Sequence, residues 1–217
     1  MRKQTVHPWE SARRSGRWKD PSAPLPAVEE FCDYLEDNGL RRILDLGAGG
    51  GRHTLLMAGK GLQVVALDVS DSAQSALDQK VRRSGIGNVT LVRHEMNALP
   101  FVDGYFDGIV CTNVLHHGLT EDVRRAFNES MRVLRKGGAA LFVVVSDKDF
   151  RFGTGRKLER GTYVFTSGNE KGIVHHFFGA GELKTLLKGL ETVKLWEELL
   201  PEDEGKRAHI YAVVRKV

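Results

Sequence analysis

The sequence predicts an α/β fold: a doubly wound, seven-stranded, mostly parallel sheet with helices on both faces and an antiparallel strand at the C-terminal end. Three observations predict it. Short apolar runs alternate with amphipathic stretches from residue 42 to residue 145, the pattern of a parallel sheet wrapped by helices. The first run, Ile43 to Leu46, passes through Gly47, Gly49, Gly50 and Gly51 into a helical stretch, as a ligand-binding turn does. Two strand-like segments, Glu191 to Leu199 and Arg207 to Val217, close the chain about a turn at Glu202-Asp203-Glu204-Gly205, so they are expected to pair antiparallel.

Residues 1–24 are polar, basic and dotted with proline, yet contain Trp9 and Trp18. Two tryptophans indicate an arm that packs back on the domain, either as surface packing or as a lid over the substrate end of the site. Residues 25–217 read as a single domain. Leu25 to Asn38 carries apolar residues at Leu25, Val28, Phe31, Cys32 and Leu35, steps that suit one helix face, and Gly39 suits its end. The first strand is Arg42 to Leu46, followed by a helix from His53 to Lys60. Gln63 to Leu67 is the second strand, ending at Asp68. Ser70 or Asp71 caps the next helix, which reaches about Ser84. Val89 to Arg93 and Tyr105 to Thr112 are strands three and four. Thr120 caps a helix from Glu121 to about Arg135, and Ala139 to Val145 is strand five. Asp147 to Val174 is irregular, basic and glycine-dotted, so residues 147–178 read as an active-site loop insertion. Gly181 to Leu190 then reads as helix.

Composition narrows the function. The chain has 217 residues, room for a full core, with 41% hydrophobic and 28% charged residues, as in soluble globular proteins. No apolar run nears the roughly 20 residues that span a bilayer. No apolar run follows Met1-Arg2-Lys3-Gln4, so no secretory signal is expected. Cys32 and Cys111 lie far apart, which argues against a disulfide framework and for a cytoplasmic protein. A net charge of +4 permits an acidic partner without demanding one.

The glycine spacing narrows the ligand. A dinucleotide turn needs glycine at its first, third and sixth positions; counted from Gly47 the sixth is Arg52. What stands here is Asp45-x-Gly47-x-Gly49-x-Gly51. Asp68, about twenty residues on, sits where a carboxylate accepts both hydroxyl protons of a ribose, and Val69 would cover one face of the base.

This pattern resembles motif I of the class I methyltransferases, Rossmann-like enzymes that use S-adenosylmethionine. The resemblance continues through His94-Glu95-Met96-Asn97-Ala98-Leu99-Pro100-Phe101, through Phe106-Asp107 to His116-His117, and through Arg132 to Gly138, and it covers roughly Arg42 to Val145. It implies S-adenosylmethionine as cofactor and S-adenosylhomocysteine as product. It implies that Asp45, Gly47, Ala48 and Gly49 serve the methionine end, that Glu95 and Met96 meet the adenine edge, and that Asn113 offers a backbone carbonyl to the ammonium. Glutamate stands at position 95 where the family more often has aspartate. The C-terminal segment R-x-H-I-Y-A-V-V-R-K resembles, loosely, the tellurite-resistance type of methyltransferase.

The family's chemistry needs an acceptor held in line with the methyl group, and a base only if the acceptor must lose a proton. His116, His117, His175 and His176 are the histidines in reach, and His116, His117 and His176 are the catalytic candidates. A metal is not expected, because the H-H pairs have no third ligand at sensible spacing. The expected acceptor is a small molecule, with no membrane partner; the sequence does not say whether the chain is a monomer or a homodimer. Three other readings stand beside this one. An RNA or protein methyltransferase would use the basic arm and loop to bind its acceptor. A non-catalytic module would bind cofactor alone, and an NAD-dependent oxidoreductase would need the missing sixth glycine.

Overall fold

A computed structural model of the chain describes residues 6–202 and 205–217. Six helices and ten strands are described: α1 Pro8–Arg14, α2 Pro26–Asp37, β1 Arg42–Leu46, α3 Arg52–Gly59, β2 Gln63–Asp68, α4 Asp71–Ser84, β3 Val89–Arg93, β4 Phe106–Thr112, α5 Thr120–Val133, β5 Leu134–Val145, β6 Arg156–Glu159, β7 Thr162–Val164, β8 Val174–His176, α6 Ala180–Leu186, β9 Glu191–Glu202 and β10 Gly205–Arg215. Seven strands form the main sheet in the order β3-β2-β1-β4-β5-β10-β9. β1 pairs in parallel with β2 and β4, while β10 runs antiparallel to both β5 and β9. The expected sheet, with its antiparallel C-terminal strand, is therefore the one present. Asp203 and Glu204 of the expected turn, and the Met1–Gln4 segment, lie outside the described residues.

The central strands are buried on both faces, which is why they read as unbroken apolar runs. Val65 and Leu67 point into a core with Phe127 of α5 and Leu183 of α6; Val64 points the other way, toward Phe31 of α2 and Met57 of α3. Leu77 of α4 packs on Ala66, so α2, α3 and α4 share one face and α5 and α6 the other.

Local signals set most boundaries. Ser70 caps α4, its hydroxyl accepting from Ala73 N at 3.1 Å. Several bounds shift by a few residues, the helix expected over Gly181 to Leu190 being Ala180–Leu186, and two shifts have a visible cause. α5 is capped at Leu119, whose N–H donates to Asp122 at 3.1 Å, because the Thr120 N–H and hydroxyl both turn to Glu159 of β6. β5 begins at Leu134, not Ala139, because Leu134 is extended and pairs with Phe106.

The larger correction is the 147–174 stretch. It is not irregular throughout: β6, β7 and β8 form a separate antiparallel sheet that follows the C-terminal end of β5. Helix α1 likewise orders part of the arm.

Candidate active site

Strand order reverses between β1 and β4, and their C-terminal ends open a crevice of the kind in which α/β sheets take ligands. A cavity of about 570 Å³ lies there, within the usual range for small-molecule sites. It is lined by the glycine turn, Asp68, Asn113, the arm and the end of the insertion.

Gly47, Gly49 and Gly51 all have left-handed backbone, with φ of 77°, 54° and 83°. They are glycines for different reasons. A Cβ on Gly47 would fall 2.2 Å from Val114, and one on Gly51 2.1 Å from Leu77, so both must be bare for the core to pack. At Gly49 the nearest atom would be Asp20 Oδ1 of the arm, at 3.2 Å. This glycine faces the arm and the cavity.

Asp68 holds the turn in place. Its two oxygens accept from Gly49 N at 2.8 Å and Ser70 N at 2.9 Å. A carboxylate has about four acceptor positions, so two remain for hydroxyl donors. Burial raises its pKa, against the pull of these two bonds. Asn113 is the one non-glycine with positive φ among the described residues, at 57°, and its buried Oδ1 has no partner. A strained asparagine with an orphaned acceptor fits a ligand that brings a donor. Ala48, Val69, Glu95 and Met96 also line the cavity. Asp45 does not: its carboxylate turns into the fold and accepts from Thr54 Oγ1 at 2.5 Å, and burial raises its pKa to about 6. The bare turn, the spare lone pairs of Asp68 and the orphaned Asn113 oxygen together fit S-adenosylmethionine.

The arm is fastened at several points. Glu10, buried, accepts from the Ser70 hydroxyl at 2.5 Å, from Ser72 N at 3.1 Å and from the Ser72 hydroxyl at 2.9 Å, and pairs with Arg14. Burial opposes its charge, yet these donors hold its pKa down at about 2. Arg13 pairs with Asp20 beside the glycine turn. Arg52 donates to Ala23 O at 3.0 Å. His53, with a pKa pushed to about 3 by burial and by Arg52, is neutral. Its Nε2 accepts from Leu25 N at 3.2 Å, so Nδ1 holds the proton and donates to Thr112 Oγ1 at 3.2 Å. Arg17 donates to Lys171 O of the insertion at 3.0 Å.

The histidines divide. His116 and His117 lie at the cavity, with ring centroids 4.3 Å apart, and Trp9 of the arm stacks edge-on against His117 at 4.8 Å. Burial, then neighbouring positive groups, depress both pKa values well below the ordinary range, so both are neutral at pH 7. His176 does not line the cavity. Its Nδ1 meets Thr162 Oγ1 at 2.8 Å and its Nε2 meets Glu182 at 3.1 Å. His175, its neighbour on β8, lines the cavity instead and brings a third imidazole to His116 and His117. Successive side chains of a strand face opposite ways, so only one of the pair could enter. That alternation was the signal available; nothing local marked Glu10 or His53.

Residues 43–138 match the family model described as "Methyltransferase domain". A ubiquinone/menaquinone biosynthesis C-methyltransferase from Serratia proteamaculans is 37% identical over 119 residues, 52% of this chain and 47% of that protein. The chain spans about half the length of the curated relatives it matches, or less. Among solved structures, a Methanosarcina mazei protein described as a SAM-dependent methyltransferase superposes with a TM-score of 0.74 at 22% identity, over 90% of this chain and 99% of that one. The 1,6-didemethyltoxoflavin-N1-methyltransferase of Burkholderia thailandensis, solved with bound 1,6-didemethyltoxoflavin and S-adenosylhomocysteine, gives 0.71 at 22% identity over 100% and 93%. TehB from Haemophilus influenzae gives 0.68 at 20% over 91% and 64%, a likeness of fold that agrees with the tellurite-type resemblance. Residues 43–138 are thus similar to a methyltransferase domain, and the fold is that of solved structures described as methyltransferases that use S-adenosylmethionine.

Proposed function

We propose that the chain transfers the methyl group of S-adenosylmethionine to a small-molecule acceptor by in-line displacement, releasing S-adenosylhomocysteine. One observation carries this reading: a single cavity joins the bare turn and Asp68 to the histidine cluster, with the arm and the insertion both on its wall. In it Asp68 takes the ribose hydroxyls, Val69 covers the adenine, and Glu95 and Met96 meet its edge. Gly47, Ala48, Gly49 and Asn113 hold the methionine end, while Asp45 braces the turn from behind through Thr54. The cofactor supplies an activated methyl group; the chain supplies alignment and exclusion of water.

The acceptor lies on the His116 and His117 side, under the described part of the arm, residues 6–24, as a lid and beside residues 147–178 as the insertion that shapes its pocket. Residues 25–217 act as one domain. The two methyltransferases above whose names carry an acceptor or pathway name small molecules, which supports an acceptor of that size. No helix among the described residues is long and apolar enough to cross a membrane, consistent with a cytoplasmic site of action.

The test is calorimetry with S-adenosylhomocysteine, then transfer from labelled cofactor to thiols, amines, hydroxyls, oxidised chalcogens and bulk RNA. Absence of S-adenosylhomocysteine binding would sink the reading. Transfer to RNA with a steep salt dependence would replace the small acceptor with a nucleic acid bound by the exposed Arg156, Lys157 and Arg160.

A further inference from the structure

The insertion brings a carboxylate and an imidazole together inside the cavity. Glu170 Oε2 lies 3.4 Å from His175 Nε2 and accepts from Arg151 Nη1 at 2.9 Å. His175 is 1% exposed, stacks on Phe165 with ring centroids 4.3 Å apart, and its Nδ1 is buried without a partner. With Nε2 turned to the carboxylate, Nε2 keeps the proton and Nδ1 keeps a free lone pair. A buried base nitrogen whose opposite nitrogen is oriented by a carboxylate is the arrangement that proton abstraction needs.

We propose that His175 is the general base of the methyl transfer and Glu170 its positioning residue, so that the acceptor carries a proton on its attacking atom: a hydroxyl, a thiol or a ring N–H. This rests on the function proposed above. The attacking atom's lone pair forms the bond to the methyl carbon, the carbon–sulfur bond breaks with its electron pair going to sulfur, and the acceptor proton passes to His175 Nδ1. The resulting imidazolium is balanced by Glu170, which burial opposes but His175 and Arg151 keep ionised, with a pKa of about 2.

The groups that face His175 come from four places. His116 and His117 follow β4, Arg151 and Glu170 belong to the insertion, His7 of the arm lies near His117, and His209 of β10 lies near His116. Only Glu170 among them is an acid, so His175 is the imidazole best placed to accept a proton. The nitrogens of His116, His117 and His175 lie within 4.8 Å of one another, which raises a divalent cation as the rival. His116 argues against it. Its Nδ1 accepts from Val145 N at 3.2 Å, so its Nε2 carries the proton and no lone pair is left to ligate. Two free nitrogens fall short of a three-ligand catalytic site.

The experiment uses the full chain with S-adenosylhomocysteine or labelled cofactor. Nitrogen-15 NMR of the S-adenosylhomocysteine complex is expected to find His175 protonated at Nε2 and bare at Nδ1; the reverse tautomer overturns the proposal. His175→Gln should leave S-adenosylhomocysteine affinity within about twofold, and slow transfer to a phenol by about 10²–10⁴-fold. Transfer to 4-nitrothiophenol, already a thiolate, should fall by less than about tenfold, since no proton must leave. Glu170→Gln should fall between wild type and His175→Gln with the phenol only. Equal losses with both acceptors, or one tightly held metal ion per chain that His175→Gln releases, overturn the assignment. Failure of the wild-type chain to bind S-adenosylhomocysteine overturns the methyltransferase reading and this one with it. Loss of that affinity in His175→Gln alone overturns only the base.

Discussion

The two halves of the cavity are built by different means. The proposed cofactor half comes from one continuous stretch, β1 through β4, in which each candidate residue follows the end of a strand or closes it and is placed by the sheet. The proposed acceptor half is assembled from the arm and the insertion, which are fastened by long-range polar contacts: the arm to α4 through Glu10 with Ser70 and Ser72, the insertion to α5 through Glu159 with Thr120, and the two to each other through Arg17 and Lys171. The sheet holds the half proposed for the cofactor, and separately fastened segments hold the half proposed for the acceptor. The first half should fail most severely when its backbone is altered. The second should loosen one contact at a time.

Gly49→Val tests the first statement most severely. A β-branched residue at φ 54° is strained, and its side chain would project between the turn and the arm. We expect S-adenosylhomocysteine affinity to drop by about 4 kcal/mol or more in calorimetry, with the far-ultraviolet circular dichroism of the fold retained. Gly51→Val is the contrast, because it drives into Leu77 and should lower the melting temperature instead. Equal behaviour of the two variants would mean that the turn is one packing unit and not a ligand cradle.

Asp68→Ala is next. It should remove the charge-assisted bonds proposed to the ribose, a loss of about 2–4 kcal/mol in cofactor affinity. The same carboxylate ties Gly49 to the start of α4, so stability should also fall. Unchanged affinity in the folded variant would confine Asp68 to that structural tie.

The same division explains what could be read from residues alone. The order of strands and helices from 42 to 145, the glycine turn, Asp68 and the position of Asn113 all follow from periodicity and turn chemistry, which are local. The three-stranded sheet of the insertion was not legible, because β6, β7 and β8 have four, three and three residues, too short for a period-two pattern. Which of His175 and His176 enters the cavity depends on strand register, which the pairing of β8 with β7 sets. The orphaned Asn113 oxygen and the bracing role of Asp45 depend on contacts that no spacing encodes.

Glu10 makes the arm's attachment sensitive to acid. Its pKa in the fold is about 2 against an ordinary value of 4.5, so the folded arm favours the ionised form. That contribution is complete above about pH 4.5 and is lost as pH falls toward about 2. Trp9 and Trp18, whose rings lie 5.0 Å apart, report it. Tryptophan fluorescence of the wild type should change across this window before the far-ultraviolet signal does. Glu10→Gln should show the detached spectrum already at neutral pH, with a loss of about 1–3 kcal/mol in arm attachment. A single transition shared by both signals would make the arm an integral part of the core.

The smallest effect isolates the contact between arm and insertion. Arg17 Nη1 donates to Lys171 O at 3.0 Å, across 154 residues of sequence, and its Nε donates to Ser15 Oγ at 3.0 Å. Both bonds are exposed to water, so Arg17→Ala should change melting free energy by less than about 1 kcal/mol. Its consequence should be selective, because Arg17 joins the two segments of the acceptor half and touches none of the strands of the cofactor half. We expect the KM for acceptor to rise a few fold, about 0.5–1 kcal/mol, while S-adenosylhomocysteine affinity stays level. If cofactor affinity moved with the acceptor KM, the arm would be acting on the glycine turn through Asp20 and Arg13, and the two halves would be coupled through the arm rather than separately built.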